Sequence, residues 1–133
     1  RDRVAKAIGL DPKLLTGCLL NNYKVGDGFI PWHWDEVRAH GEQRVIATLS
    51  LGGSRRFNMR RRQDKASMHT VDLETGSVLL MAGRAQEVFE HELPLRPDDP
   101  HRISLTFRSI VPGYEADRNA YDPCTTSNEE SQQ

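Results

Sequence analysis

Cysteine is scarce in this chain of 133 residues, which contains only Cys18 and Cys124. The two lie far apart and in unlike surroundings, so they do not suggest a disulfide framework. A chain of this length instead buries enough apolar surface to fold as one domain around a hydrophobic core. Low cysteine content is typical of reducing compartments, and we therefore expect an intracellular location, cytoplasmic or nuclear.

Long apolar runs are lacking as well. No run approaches the roughly 20 residues of a membrane-spanning helix, and no signal-peptide pattern is visible. Charge of one sign is not in excess either, because 28% of the residues are charged and the formal net charge is −1. These absences predict a soluble monomer without a membrane partner, and any contact with nucleic acid must be local.

The sequence does contain a succession of short β-like segments separated by turn residues. The predicted strands cover residues 18–25, 29–35, 44–51, 55–62, 67–73, 77–81, 88–93 and 102–108. Along the last of these, apolar and polar residues alternate strictly, so that one face is apolar and the other polar. About eight short strands predict a mainly β fold, a double-stranded β-helix or jelly roll.

A smaller part of the chain is predicted to lie outside the strands. A short helix that Asp2 caps and Gly9 ends opens the chain, and a second turn covers residues 13–16. The predicted loops cover residues 36–43 and 83–87. Residues 1–115 form the single domain, and the polar tail 116–133 is predicted to be disordered.

The segment 30–35 carries the strongest chemical signal. In an extended chain, His33 and Asp35 project to the same face, where they can bind one metal ion, while Trp32 and Trp34 point the other way. Taken alone, such a pair is more often an ordinary hydrogen-bonded contact on a strand. A metal site would need a third ligand from elsewhere in the chain.

Four further histidines are candidates for that ligand. They are His40, His69, His91 and His101. Only His91 combines a late position with an apolar strand frame, since Phe89 and Leu93 flank it at alternating positions. Two histidines and one carboxylate leave open positions on an octahedral metal, an arrangement that suits non-haem Fe(II) oxygenases.

The last strand adds a candidate site for an anion. Arg102 and Arg108 are six residues apart, so both guanidinium groups face the same side as Ser104 and Thr106. Two inward arginines would cost several kcal/mol unless each met an anion. A dicarboxylate ligand fits, because a guanidinium binds carboxylates in bidentate fashion. The alternative is that both arginines pair with acidic residues of the protein.

Together, these motifs resemble those of a known family. In order, they are 19–23 (LLNNY), 33–35 (HWD), 48–52 (TLSLG), 76–81 (GSVLLM), His91 and 102–108 (RISLTFR). This series, spread over residues 18–110, resembles the AlkB family of 2-oxoglutarate- and Fe(II)-dependent dioxygenases. Family members oxidise an N-methyl group, typically of 1-methyladenine or 3-methylcytosine in DNA or RNA. O2 is the oxidant, and formaldehyde, succinate and CO2 are released.

The resemblance implies a role for each matching residue. His33, Asp35 and His91 would bind Fe(II) and form the catalytic centre. Residues implied to surround the 2-oxoglutarate are Asn21, Tyr23, Arg102, Ser104, Thr106 and Arg108. Among these, Asn21 and Tyr23 would donate hydrogen bonds to the co-substrate. Arg102 would pair with its distal carboxylate, and Arg108 would lie nearer the metal. The target base would be single-stranded or would leave its stack to reach the pocket.

A cationic cluster points to nucleic acid independently. Six positive charges fall within eleven residues of a predicted hairpin, at Arg55, Arg56, Arg60, Arg61, Arg62 and Lys65. Beside a metal site we expect them to contact phosphates, although charge runs are often only solvated surface. Trp32 and Trp34 are possible stacking surfaces for a base, although such aromatics are more often part of a core.

The sequence departs from the family pattern at several points. Many relatives carry Asn where this chain has Ser104, and base-repair members commonly carry an acidic residue where it has Val37, with Glu36 beside it. Base preference is therefore open. The family's N-terminal lid would precede Arg1, so we expect a catalytic core without its full substrate surface. Two alternatives are a dioxygenase of methylated protein side chains and a non-catalytic jelly-roll binding module.

Overall fold

The computed structural model describes residues 1–36 and 44–110, which form eight strands and three short helical segments. The strands are β1 (Gly17–Tyr23), β2 (Ile30–His33), β3 (Ile46–Gly52), β4 (Arg55–Arg61), β5 (His69–Leu73), β6 (Val78–Met81), β7 (Phe89–Leu93) and β8 (Arg102–Arg108). The helices are α1 (Asp2–Ala7), a 3₁₀ turn (Pro12–Leu14) and α2 (Ala85–Val88). Val37 and the predicted tail lie outside the described residues.

The strands form two four-stranded antiparallel sheets. The first has the order β1-β8-β3-β6 and the second the order β2-β7-β4-β5. Strands distant in sequence are therefore neighbours, as in the predicted double-stranded β-helix. In the described part of the chain, no helix has the length and apolar character needed to cross a membrane.

The apolar residues form two cores, on opposite faces of the first sheet, and the apolar face of β8 contributes to one of them. Phe107 is buried under α1 with Val4, Ala5 and Leu15, on the outer face of the first sheet. A second core fills the space between the sheets with residues from both, namely Tyr23, Ile46, Phe57, Leu73, Met81 and Leu93. Burial of each such side chain contributes about 1.5–3 kcal/mol, so together they hold the two sheets face to face.

The helical segments differ from expectation in two places. Asp2 is the first residue of α1 and not its cap: Arg1 occupies the N-cap position, and no side chain caps the helix. Residues 83–87, predicted as a loop, contain the start of α2. A single helical turn has no apolar repeat for sequence reading to detect, since packing rather than propensity stabilises so short a helix.

Arg55 is buried at the start of β4, with 1% of its surface exposed. Its guanidinium donates to backbone carbonyls of Lys24, Asp27, Gly28 and Pro100 and lies 3.8 Å from the Asp99 carboxylate. These acceptors belong to the segment after β1 and the segment before β8. Arg55 therefore joins two irregular connections to the second sheet.

Replacing Arg55 by methionine should lower the free energy of unfolding by about 3 kcal/mol, because several carbonyls and the buried Asp99 carboxylate lose their cationic partner. Urea denaturation followed by circular dichroism would measure it. Arg56→Met is the matched control: this exposed neighbour lies 3.7 Å from Asp72, and its loss should cost less than about 1 kcal/mol. Equal effects of the two substitutions would contradict the structural role of Arg55.

Candidate functional site

Three potential metal ligands converge at one end of the second sheet. His33 on β2 lies directly opposite His91 on β7, and their ring centroids are 4.3 Å apart. Asp35 follows two residues after His33, beyond the end of the strand. The ligand atoms of His33, Asp35 and His91 all lie within 4.8 Å of one another, so the three can hold a metal ion. The sheet pairing thus brings together the set that the spacing predicted.

The surroundings of the two imidazoles favour metal binding. His33 Nδ1 donates to the carbonyl oxygen of Pro31 at 2.8 Å, which selects the tautomer whose Nε2 can bind a metal. His91 stacks on Phe57 with ring centroids 5.3 Å apart. Burial, with His33 as the next cause, lowers the pKa of His91 to about 4. His91 is therefore neutral near pH 7, the form in which imidazole binds metals.

The Asp35 carboxylate is held from two directions. Its Oδ1 accepts a hydrogen bond from Arg108 Nη2 at 2.6 Å, and its Oδ2 lies 3.8 Å from His91 Nε2. The backbone N–H of Asp35 donates to Gln86 Oε1 at 2.9 Å. Sequence reading missed Gln86, because its segment was read as a loop and nothing local links it to a residue 51 positions away. Arg108 thus pairs with an acidic residue of the protein, which was the alternative to pairing with a dicarboxylate ligand.

Arg102 has a different environment. It is 2% exposed, and its Nη2 donates to Ser50 Oγ at 2.9 Å. Within the described ranges it forms no ion pair with a carboxylate, and its Nε has no hydrogen-bond partner. Burial lowers the pKa of the guanidinium, since desolvation disfavours the charged form. A buried cation with an unpaired donor fits a carboxylate ligand, as 2-oxoglutarate would supply.

The other predicted 2-oxoglutarate residues lie on the same inner face. β1 pairs with β8 so that Asn21 lies opposite Ser104 and Tyr23 lies opposite Arg102. Burial raises the pKa of Tyr23, so its phenol stays protonated and can donate a hydrogen bond. Thr106, one alternation further, lies with its Oγ1 3.3 Å from Thr48 Oγ1. The face is therefore lined by amide, hydroxyl and guanidinium groups.

The six cations near the hairpin of β4 and β5 do not share one environment. Arg55 is buried among backbone carbonyls, so its predicted contact with nucleic acid is wrong. Arg56 is exposed and lies 3.7 Å from the Asp72 carboxylate on the neighbouring strand. Local charge density could not separate the two, because adjacent residues of a strand face opposite sides.

Glu90 pairs with two further cations. Its carboxylate accepts hydrogen bonds from Arg60 Nε at 2.6 Å and from Lys65 Nζ at 2.5 Å. These bonds, that of Lys65 first, lower the pKa of Glu90. Arg60 also lies over the Trp32 ring, with its Cζ 3.8 Å from the ring centroid. The single charge of Glu90 thus balances one of the two positive charges, and both cations are held by the protein.

Arg61 and Arg62 form no ion pair with a carboxylate in the parts of the chain that the structure describes. The Cζ of Arg62 lies 3.8 Å from the ring centroid of Trp34, and that of Arg61 lies 5.6 Å from Phe89. Trp34 is 47% exposed and lies in the sequence between His33 and Asp35, two of the potential metal ligands. Glu36, the next candidate along the chain, is also exposed. An arginine pair and an accessible aromatic face therefore lie close to the ligand cluster.

The model of the 2OG-Fe(II) oxygenase superfamily matches residues 1–108 of this chain. The chain belongs to this superfamily. It is 33% identical over 104 residues to alpha-ketoglutarate-dependent dioxygenase alkB homolog 3 of Bos taurus, a match that covers 71% of this chain and 36% of that protein. It is also 33% identical over 120 residues to DNA oxidative demethylase ALKBH2 of Mus musculus, covering 84% of this chain and 49% of that protein.

A solved structure agrees with this assignment. The structure of OsALKBH1 superposes with a TM-score of 0.56 at 25% identity, covering 68% of this chain and 48% of that one. The AlkB resemblance and the jelly-roll fold are thereby confirmed. Membership implies Fe(II), 2-oxoglutarate and O2, and the donor groups described above fit both bound groups. The chain spans about a third to a half of the length of the curated relatives it matches.

Proposed function

We propose that this chain is the catalytic core of a dioxygenase that removes N-methyl groups from nucleobases of the 1-methyladenine and 3-methylcytosine type. The observation that carries the proposal is the convergence of His33, Asp35 and His91 within 4.8 Å, next to an inner face where Arg102 is buried without a carboxylate partner among the described residues. Relatives named as a dioxygenase and as a DNA oxidative demethylase support it. A nucleic-acid substrate implies action in the nucleus or cytoplasm.

The proposed reaction divides the work among the residues of this chain. When bound, the iron would activate O2, with 2-oxoglutarate as the source of electrons. One oxygen atom goes to the methyl carbon, and the other goes to 2-oxoglutarate, which leaves as succinate and CO2. The hydroxymethyl–nitrogen bond then breaks: the hydroxyl group loses its proton, formaldehyde leaves, and the ring nitrogen regains the lone pair that it had before methylation.

The residue roles in this proposal follow from the geometry. His33 and His91 would offer neutral nitrogen atoms and Asp35 a carboxylate, the ligand set that suits non-haem Fe(II). Arg102 would bind the distal carboxylate of 2-oxoglutarate. Asn21 and Tyr23, on the strand beside it, would donate further hydrogen bonds.

Nucleic acid is the favoured partner because of Arg61 and Arg62. Neither forms an ion pair with a carboxylate in the described ranges, and Arg62 donates only to the backbone carbonyl of Glu87, at 3.3 Å, so the positive charge of both remains to attract phosphates. Trp34 offers one exposed face, with Arg62 covering the other at 3.8 Å. A base that leaves its stack gains about 1–3 kcal/mol on such a surface, which offsets part of its unstacking.

Replacing Arg61 and Arg62 by alanine should weaken binding to a single-stranded oligonucleotide and flatten its salt dependence. Loss of two phosphate contacts should reduce the slope of log K against log salt by about 1.4, because each contact to a single strand contributes roughly 0.7. Fluorescence anisotropy between 50 and 200 mM salt, roughly the range over which phosphate contacts weaken, would measure it.

The matched control removes two cations elsewhere. Arg3 and Lys6 are exposed on α1, which packs on the outer face of the other sheet. Replacing both by alanine changes the net charge equally and should leave the slope unchanged. Equal slopes for the two double variants would show that only net charge matters and would contradict the contact.

The substrate class can be tested in one incubation. Methylated oligonucleotides and methylated peptides are mixed with the protein, Fe(II) and 2-oxoglutarate, and the products are read by mass spectrometry. We expect loss of methyl groups from the oligonucleotides alone. Modification of the peptides with unchanged oligonucleotides would contradict the proposed substrate while leaving the oxygenase chemistry intact.

A further inference from the structure

Asp35 is the one potential metal ligand that no strand holds. β2 ends at His33, whereas His91 lies inside β7, where ladder hydrogen bonds fix its backbone. The Asp35 backbone N–H instead donates to a side-chain atom, Gln86 Oε1, at 2.9 Å. The position of the Asp35 backbone therefore depends on how firmly Gln86 is held.

Gln86 is held at both ends of its amide. It is 6% exposed and lies on α2, between β6 and β7. Its Nε2 donates to Met81 Sδ at 3.4 Å, so its Oε1 points to Asp35 and the amide orientation is fixed. Met81 belongs to the core between the sheets. A chain of contacts thus runs from that core through Gln86 to the backbone of Asp35.

We propose that Gln86 is a positioning residue for the metal site, acting through the backbone of Asp35. The inference rests on the proposed function, since it assumes that Asp35 binds the metal. Arg108 already attracts the carboxylate with a hydrogen bond of 2.6 Å. Without a fixed backbone, the Asp35 side chain can rotate toward that cation and away from the two imidazoles. Gln86 opposes this movement by holding the Asp35 peptide unit in place.

The burial of Gln86 makes its hydrogen bonds energetically important. Gln86 is buried, so its amide must be hydrogen-bonded or cost about 1–3 kcal/mol for each unpaired polar group. Residues that orient metal ligands typically change metal affinity by about 10–100-fold when they are replaced. The effect is therefore expected in metal affinity and in the ligand field, beyond any change in stability.

The test measures Co(II) binding by the purified chain through its visible d–d absorption. Gln86→Met removes the hydrogen bond to Asp35 with little change in volume, and it should weaken Co(II) binding by about 10-fold or more and alter the spectrum. Met81→Leu is the matched control, because it removes the other hydrogen bond of the same amide and keeps the core filled. Its Co(II) affinity should fall much less than that of Gln86→Met, because the weak bond to sulfur only orients the amide and Gln86 Oε1 can still accept from the Asp35 backbone N–H.

Thermal unfolding of both metal-free variants separates positioning from packing. If Gln86→Met lowers the unfolding midpoint but binds Co(II) with the original affinity and spectrum, Gln86 is a packing residue and the inference is wrong, while the proposed function stands. If the two variants weaken Co(II) binding equally, the Asp35 hydrogen bond is not the cause and the inference is again wrong. If the unmodified chain binds no Co(II), the metal site itself is contradicted, and the inference with it.

Discussion

Replacing His91 by alanine should abolish the weak visible charge-transfer band that Fe(II) and 2-oxoglutarate give together under anaerobic conditions. Release of formaldehyde from a methylated oligonucleotide should fall to background in the same variant. His91 supplies one of only two imidazoles among the three converging groups, and its low pKa keeps it neutral at the pH of the assay. Losing a direct ligand should cost more than the roughly 100-fold upper limit for residues that only orient ligands.

The control for this substitution is another histidine of the same sheet. His69 lies exposed on β5 and is not among the residues that converge with Asp35. His69→Ala should therefore retain the band and the formaldehyde release. A normal band in His91→Ala would assign the third ligand to another residue, and equal losses in both variants would indicate a general loss of folded protein.

The accurate predictions were those that depend on local periodicity. In β8, apolar and polar residues alternate, which predicts that they face opposite sides of the sheet. The structure agrees, since Phe107 is buried under α1 and Arg102 between the sheets. The choice of His91 as the residue that joins His33 and Asp35 rested on its late strand and apolar frame, whereas the direct pairing of β2 with β7 is seen only in the structure. Short-range patterns thus determine which face a residue occupies.

The missed features depend on contacts between distant residues. Arg55 and Arg61 belong to one run of positive charge, yet the first is saturated by backbone carbonyls and the second has no carboxylate partner among the described residues. Likewise, Gln86 gains its role only because a single helical turn brings it against Asp35. Neither outcome follows from periodicity or charge density, because each requires knowing which loop packs on which strand.

Arg55 and Arg102 show how environment separates two buried arginines. Both guanidinium groups lie near the Tyr23 ring, at 5.7 and 5.4 Å from its centroid, and both side chains are nearly inaccessible. Arg55 donates to several carbonyls and faces Asp99, so its hydrogen-bonding capacity is used within the fold. Arg102 contacts only hydroxyl groups, those of Ser50 and Tyr23, and its Nε is unpaired in the described part of the chain. The first arrangement is that of a structural arginine, and the second is that of an anion-binding one.

Replacing Arg102 by alanine should therefore raise the 2-oxoglutarate concentration needed for half-maximal turnover by roughly 100- to 10,000-fold, because two charge-assisted hydrogen bonds of about 1.5–3 kcal/mol each are lost. Titration of 2-oxoglutarate at fixed oligonucleotide concentration would measure this, with circular dichroism confirming the fold. Arg102→Lys keeps the charge without the planar guanidinium, so its 2-oxoglutarate requirement should lie between those of the unmodified chain and of Arg102→Ala. Ser50→Ala removes only the neighbouring hydroxyl and should change the requirement much less. An unchanged requirement in folded Arg102→Ala would mean that the co-substrate carboxylate is bound elsewhere.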